Sequence, residues 1–166
     1  MHPDVDLRRA GPADAAHAAR IIADALAEFG LPFEPHNRDA DVAIFGSRED
    51  HDDLVAEKGD RPIGIVSIGP HGDPGVGWIS KLFVVKDARM GGIGRMLLEA
   101  AHDAARQRGY SRIGLRTRVV FTAAIALYER AGYVQDTNIC AQEYGDLVYF
   151  RPLEGAPSLG DSTQKR

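Results

Sequence analysis

Between an apolar run, Leu82-Phe83-Val84-Val85, and an amphipathic stretch that begins Arg95-Met96-Leu97-Leu98, the chain reads Arg89-Met90-Gly91-Gly92-Ile93-Gly94. Glycines at the start of a helix let main-chain N–H groups approach a ligand closely. Those first amides have no acceptor inside the helix, and the helix dipole adds positive potential. The pattern therefore predicts an anion site formed by Gly91, Gly92, Ile93, Gly94 and Arg95, suited to a pyrophosphate, with Arg89 adding a full charge. Two common phosphate loops do not fit. A Walker A loop needs Lys-Ser/Thr after its last glycine, and Gly94 is followed by Arg95 and Met96. A dinucleotide fingerprint needs a third glycine or alanine where Leu97 stands.

A second group of residues lies about 30 positions further on, Ala124-Ile125-Ala126-Leu127-Tyr128-Glu129-Arg130-Ala131-Gly132-Tyr133. Together the two segments resemble the GNAT N-acetyltransferases. Arg89-Met90-Gly91-Gly92-Ile93-Gly94 fits that family's Arg/Gln-x-x-Gly-x-Gly/Ala signature. Leu82-Phe83-Val84 stands at its strand end, and Leu115-Arg116-Thr117 at its next strand. The run through Tyr128 is similar to Ala-Ile-x-Leu-Tyr-Glu-x-x-Gly-Phe. The resemblance covers nearly the whole chain, from Val5 to Leu153.

The resemblance implies an α/β (α+β) fold: a mixed, twisted sheet, flanked by helices and splayed between its two central parallel strands, here Val76 to Val85 and Arg112 to Val119. It implies acetyl-CoA as co-substrate, with the pantetheine arm along Leu82, Phe83 and Val84 and the pyrophosphate on the turn from Arg89 through Met90 to Arg95. It implies direct attack of an acceptor amine on the thioester. A main-chain N–H near Leu82 is placed to meet the developing oxyanion, and Tyr128 is placed to protonate the leaving thiolate. The acceptor is a small-molecule amine or a peptide amine.

Two positions depart from the family pattern. Trp78 stands where some relatives carry a glutamate base, and it is read as a wall of the substrate pocket. Phe121 replaces a common asparagine, with Thr122 expected to cap the following helix. A base must then come from water or from an acidic residue between Glu34 and Asp41. A non-catalytic acyl-CoA binder is the alternative these departures keep open.

Elements that would position these groups follow from periodicity. Ala18, Ile21, Ile22, Ala25, Leu26 and Phe29 recur at helical spacing between Ala13 and Phe29. Ile93, Leu97, Ala100, Ala101 and Ala104 do the same between Gly92 and Arg108. A further helix runs from Thr122 to Ala131, and another is expected within Asp39 to Asp50. Strands are expected at Val5 to Arg9, Leu54 to Lys58, Ile63 to Ile68, Val76 to Val85, Arg112 to Val119, Tyr133 to Tyr144 and Leu147 to Leu153. The last of these offers an edge for a homodimer.

Composition bounds the rest. The chain has 166 residues, a formal charge of −4 and 44% hydrophobic residues, with a pI of about 5.8. That predicts one globular domain over residues 1–153 and a disordered polar tail over 154–166. The acidic balance argues against a nucleic-acid partner. No apolar run is long enough for a membrane span, and a single cysteine, Cys140, precludes an internal disulfide; a cytoplasmic location is expected. The acidic run Glu49-Asp50-His51-Asp52-Asp53 is read as a solvated segment with no metal. Arg116 and Arg118 share one strand face and meet either solvent or an anion.

Overall fold

A computed structural model of the chain describes residues 2–139 and 146–154. The order is β1 (Asp6–Arg9), α1 (Asp14–Ala27), a 3-10 turn (Ala40–Ile44), β2 (Asp52–Lys58), β3 (Arg61–His71) and β4 (Asp73–Val84). A short 3-10 turn (Lys86–Ala88) follows, then α2 (Ile93–Gln107), β5 (Arg112–Arg118), α3 (Thr122–Arg130), β6 (Val134–Gln135) and β7 (Asp146–Pro152). The strands form one sheet in the order β1-β2-β3-β4-β5-β7-β6. Among the described residues only β4 and β5 run parallel, with α2 as their crossover; the other neighbours are antiparallel.

Alternation along the strands builds two cores. Val55 and Ile65 join Ala18, Ile22 and Leu26 of α1 with Val42 and Phe45 on one face. Ile68, Ile79, Ile113 and Leu115 join Leu97, Leu98 and Ala101 of α2 with Tyr128 of α3 on the other. Burying each large apolar side chain contributes about 1.5–3 kcal/mol. Both apolar stripes read from the sequence are thus the faces that α1 and α2 bury, except Phe29, which lies beyond the end of α1 and is exposed.

Several expected elements change. The helix expected within Asp39 to Asp50 is only the 3-10 turn. Val42 and Phe45 supply its buried anchors, and Gly46 ends it with φ +83°, its N–H donating to Asp53 Oδ2 at 2.8 Å. The β3–β4 hairpin is longer than expected and turns tightly at Gly72, with His71 paired to Asp73. The strand expected from Tyr133 is cut to Val134–Gln135, because Asp136 Oδ1 takes the N–H of Asn138 and turns the chain. Residues 140–145 of that expected strand, Cys140, and the tail beyond residue 154 lie outside the described residues. The terminal strand β7 is not the outermost: β6 covers it at Tyr149 and Phe150.

Candidate functional site

Pairing between β4 and β5 starts at Val76 with Arg112 and stops at Ile79 with Leu115. Beyond that point Ser80–Val84 keeps β3 on one side and, among the described residues, has no strand on the other. A bulge marks the place. Between the pairs Ser67–Ser80 and Ile65–Phe83, β3 advances two residues and β4 three. The extra residue falls at Lys81, whose φ of +57° is left-handed, a strained conformation for a residue with a Cβ. Its ammonium, almost buried, pairs with Asp41, and Asp41 also lies 3.6 Å from Arg48 Nη1. Thus β4 bends away from β5 and leaves a wedge-shaped gap between two parallel strands. Leu82 and Val84 face the α2 core along this wall, and Phe83 faces the α1 core.

The glycine turn stands at the open end of the gap. Gly92 caps α2 with φ +79° and offers no side-chain cap. The first intrahelical bond is Met96 N–H to Gly92 O at 3.0 Å. The amides of Ile93, Gly94 and Arg95 precede it and are the orphan donors of the helix start. No acidic side chain stands in the first turn. Met90 is fully exposed, with φ +68°. Gly94 lies against α3, where an added Cβ would meet Leu127 Cδ2 at 3.4 Å. Arg89, expected to flank the turn and add a full charge, has partners within the fold. It forks onto Glu28 at 2.6 and 2.9 Å, and its Nε donates to the Val84 carbonyl at 2.9 Å. Arg89 therefore ties the end of β4 to α1, and the Glu28 carboxyl is held below its usual range by that contact. A groove of about 530 Å³ lined in part by this pair, and another of about 300 Å³ that reaches the glycine turn at Gly91 and Ile93 beside His2 and Lys58, contain no residue of β5 or α3 and so do not coincide with the gap.

Tyr128 is buried on α3, edge-on to Tyr133 with ring centroids 5.8 Å apart. Burial pushes its phenol well above the ordinary value of 10. Behind it runs a polar chain that the sequence did not reveal. Arg151 Nη1 lies 3.1 Å from His102 Nδ1, and His102 Nε2 lies 2.7 Å from the Tyr133 hydroxyl. A guanidinium only donates, so Nδ1 must accept; the neutral ring then carries its proton on Nε2 and donates it to Tyr133. Desolvation, then the charges of Arg151 and Arg106, lower the His102 pKa from 6.5 to about 4. A histidine depressed in the folded state stabilises the fold above its unfolded pKa, and that stability is lost as pH falls toward 4. The loss attributable to His102 is about 3 kcal/mol across that window. Denaturant unfolding at pH 7, 6 and 5 checks it: His102→Gln flattens the profile, and an unchanged slope counts against the assignment.

The pocket residues expected from sequence are dispersed along one face. Trp78 stacks on His71 at 3.9 Å and meets Phe150 edge-on at 6.0 Å. Gly114 makes room for both, since a Cβ there would lie 2.7 Å from Trp78 Cζ3 and 2.6 Å from Phe150 Cε1. Phe121 sits edge-on to Phe29 at 5.0 Å and to Phe83 at 6.4 Å, bridging α1, β4 and the start of α3. Phe121 itself occupies the cap of α3, and Thr122 is the first helical residue, so the expected Thr122 cap is absent. Glu34 is half-buried, and its N–H donates to Asp39 Oδ2 at 2.8 Å. Asp41 already serves two cations, Lys81 and Arg48. Among the described residues no cluster of His, Cys, Asp or Glu could hold a metal ion, and no helix is long and apolar enough to cross a membrane.

Two parallel strands part beside an uncapped glycine-rich helix start, the arrangement that the resemblance implied. The chain belongs to the acetyltransferase (GNAT) family, whose model matches residues 19–133. It is similar to an IAA acetyltransferase of Azospirillum brasilense, 39% identical over 80 residues, which are 48% of this chain and 52% of that protein. The chain thus spans about half the length of that curated relative. Among solved structures, a GNAT acetyltransferase of Staphylococcus aureus superposes with a TM-score of 0.79 at 16% identity, covering 90% of this chain and 99% of the other. The yncA protein of Salmonella typhimurium, solved with its cofactor acetyl-CoA, superposes at 0.74 with 20% identity, covering 95% and 99%.

Proposed function

We propose that the chain, acting as a single domain over residues 1–153, transfers an acetyl group from acetyl-CoA to a primary amine. The observation that carries this reading is the end of β4–β5 pairing at Ile79 and Leu115, beside the uncapped start of α2. A slot with an unpaired strand wall suits an extended pantetheine arm, whose amides can substitute for a missing strand neighbour. Leu82, Phe83 and Val84 are that wall. The amides from Gly91 to Arg95 take the pyrophosphate, because a helix start with no side-chain cap and no acidic residue favours a bound anion. Arg89 holds the turn in place through Glu28 and Val84.

In the transfer, the C–N bond forms as the C–S bond breaks, and the amine loses a proton while the thiolate gains one. Tyr128 is the donor to the thiolate. Its raised pKa keeps the phenol protonated across the neutral and alkaline range, so it can give a proton only as charge builds on sulfur. Trp78 and Phe121 wall the acceptor side. Neither can accept a proton, and the amine is therefore deprotonated by solvent or enters neutral. A thiol-release assay over a panel of primary amines, with the acetylated product confirmed by mass, tests this reading. Turnover of at least one amine supports it. Acetyl-CoA binding with no turnover across a broad panel would instead favour the non-catalytic acyl-CoA-binding reading.

A further inference from the structure

An amine that enters neutral still has a proton to lose. Once its nitrogen bonds the thioester carbon it is positively charged, and neither Trp78 nor Phe121 can relieve it. The sheet face that carries Trp78 also carries a group that can. The His51 ring lies flat on Gly69 of β3, where an added Cβ would stand 2.2, 2.4 and 2.6 Å from three of its atoms. Gly69 pairs with Trp78 across the β3–β4 ladder. Paired residues share a face, with Cβ positions about 5 Å apart. His51 therefore stands beside Trp78, one residue short of Ile79, where β4 leaves β5. From Gly69 to Ser80, at the opening of the gap, is two residues along and one strand across, roughly 8 Å. An acceptor nitrogen and one bridging water can divide that span.

His51 Nδ1 lies 2.6 Å from Asp50 Oδ1. An ionised carboxylate only accepts, so Nδ1 donates and the neutral ring keeps its lone pair on Nε2. Nε2 has no hydrogen-bond partner among the described residues. The side chain is 18% exposed, enough to meet a water. The same contact holds the Asp50 carboxyl below its usual range. The segment around the pair, expected to be solvated, is anchored on both faces. Arg9 and Arg108 hold the buried Asp52 on the α2 side, and Arg108 Nη2 also donates to the Glu49 carbonyl at 3.1 Å. Arg48 holds the buried Asp53 on the α1 side and donates to Ser67 Oγ at 2.9 Å. Between Ser67 and the gap, Asp41 pairs with Lys81 and lies 3.6 Å from Arg48. His71 stacks on Trp78, and the Arg112 guanidinium lies over Phe150. Each cation here except Arg112 thus faces a carboxylate, or in Arg108 a carboxylate and a carbonyl, and none of these contacts occupies His51 Nε2.

We propose that His51, oriented by Asp50, takes the proton that the attacking nitrogen loses, through one water. The proposal rests on the acetyl-transfer reading above. As the C–N bond forms, the nitrogen gives its proton by way of that water to Nε2. As the C–S bond breaks, the thiolate takes the proton of Tyr128. His51 then returns its proton to solvent and Tyr128 regains one. The test follows acetyl transfer by the full chain to the panel of primary amines, ethylamine, benzylamine and glycinamide among them. His51→Gln is expected to lower kcat by about 100-fold and Asp50→Asn by about 10-fold, with acetyl-CoA affinity unchanged in both. Two readouts separate this from a packing role. In the wild type, log kcat/KM falls at acid pH with a slope of about two, one proton on the amine and one on the imidazole. In His51→Gln the slope is about one, and the alkaline midpoint set by the amine stays. Added imidazole should restore about 10-fold to His51→Ala, where Gly69 is uncovered, and nothing to His51→Gln. Wild-type kcat or an unchanged acid slope in His51→Gln overturns the proposal and leaves acetyl transfer standing. A loss in His51→Ala that imidazole does not relieve overturns it too, marking the ring as packing. A wild type that binds acetyl-CoA but turns over no amine of the panel, or does not bind it, removes the acetyl-transfer reading itself and the proposal with it.

Discussion

Gly91→Glu is expected to abolish acetyl-CoA binding at working concentrations while leaving the free protein as stable as before. Gly91 is exposed and its φ is not left-handed. An added Cβ would meet nothing closer than Ala88 O at 3.6 Å, which is ordinary contact. The backbone thus accepts a side chain there, and the unfolding midpoint without ligand should move little, by an amount corresponding to less than about 0.5 kcal/mol. The new carboxylate would stand beside the amides of Ile93, Gly94 and Arg95, where the pyrophosphate is proposed to bind. Two like charges about 4 Å apart near a protein surface repel by roughly 4 kcal/mol before screening. A net loss of about 3 kcal/mol weakens binding about 100-fold or more. Calorimetric titration reads the effect directly. Unchanged affinity in Gly91→Glu would show that the anion sits elsewhere and that the glycines only shape a turn.

Tyr128→Phe is expected to lower kcat by about 100-fold or more and to leave KM for acetyl-CoA nearly unchanged, as for the loss of a general acid used only in the transition state. The ring stays, so the packing against Tyr133 and the α2 core is kept. The pH dependence separates this role from a structural one. Burial holds the phenol protonated far above neutrality, so the rise of rate with pH belongs to the amine acceptor and should have the same midpoint in both proteins. A variant with wild-type kcat removes Tyr128 from the proton path. A variant with lowered stability and proportionally lowered soluble yield, but normal kcat, would mark it as a core residue.

How far the sequence foresaw this site depends on the range of the interactions involved. The glycine turn was legible because its signal is local: a buried-type strand, Gly91-Gly92-Ile93-Gly94 and an amphipathic helix follow within a few residues. The stripes of α1 and α2 were legible for the same reason. The bulge at Lys81 was not, since it exists only in the register between β3 and β4 and is held by Asp41, 40 residues away. Nor was the chain from Arg151 through His102 to Tyr133, whose members are 49 and 31 residues apart. One signal was present: His102 falls on the apolar stripe of α2 between Leu98 and Ala105, where a polar ring needs a partner. Arg89 shows the same limit from the other side. Its position beside the glycines suggests a ligand charge, and only the fold brings Glu28 within reach of it.

The central claim, that the gap between β4 and β5 with its glycine turn receives acetyl-CoA, is tested most directly by thermal unfolding with and without the ligand, with ATP and NAD as controls. At 100 times its dissociation constant, a ligand of the folded state adds about 2.7 kcal/mol, a rise of a few degrees for a chain of this size. A rise with acetyl-CoA and none with ATP or NAD is the predicted result. No rise with acetyl-CoA, or an equal rise with all three, would contradict it.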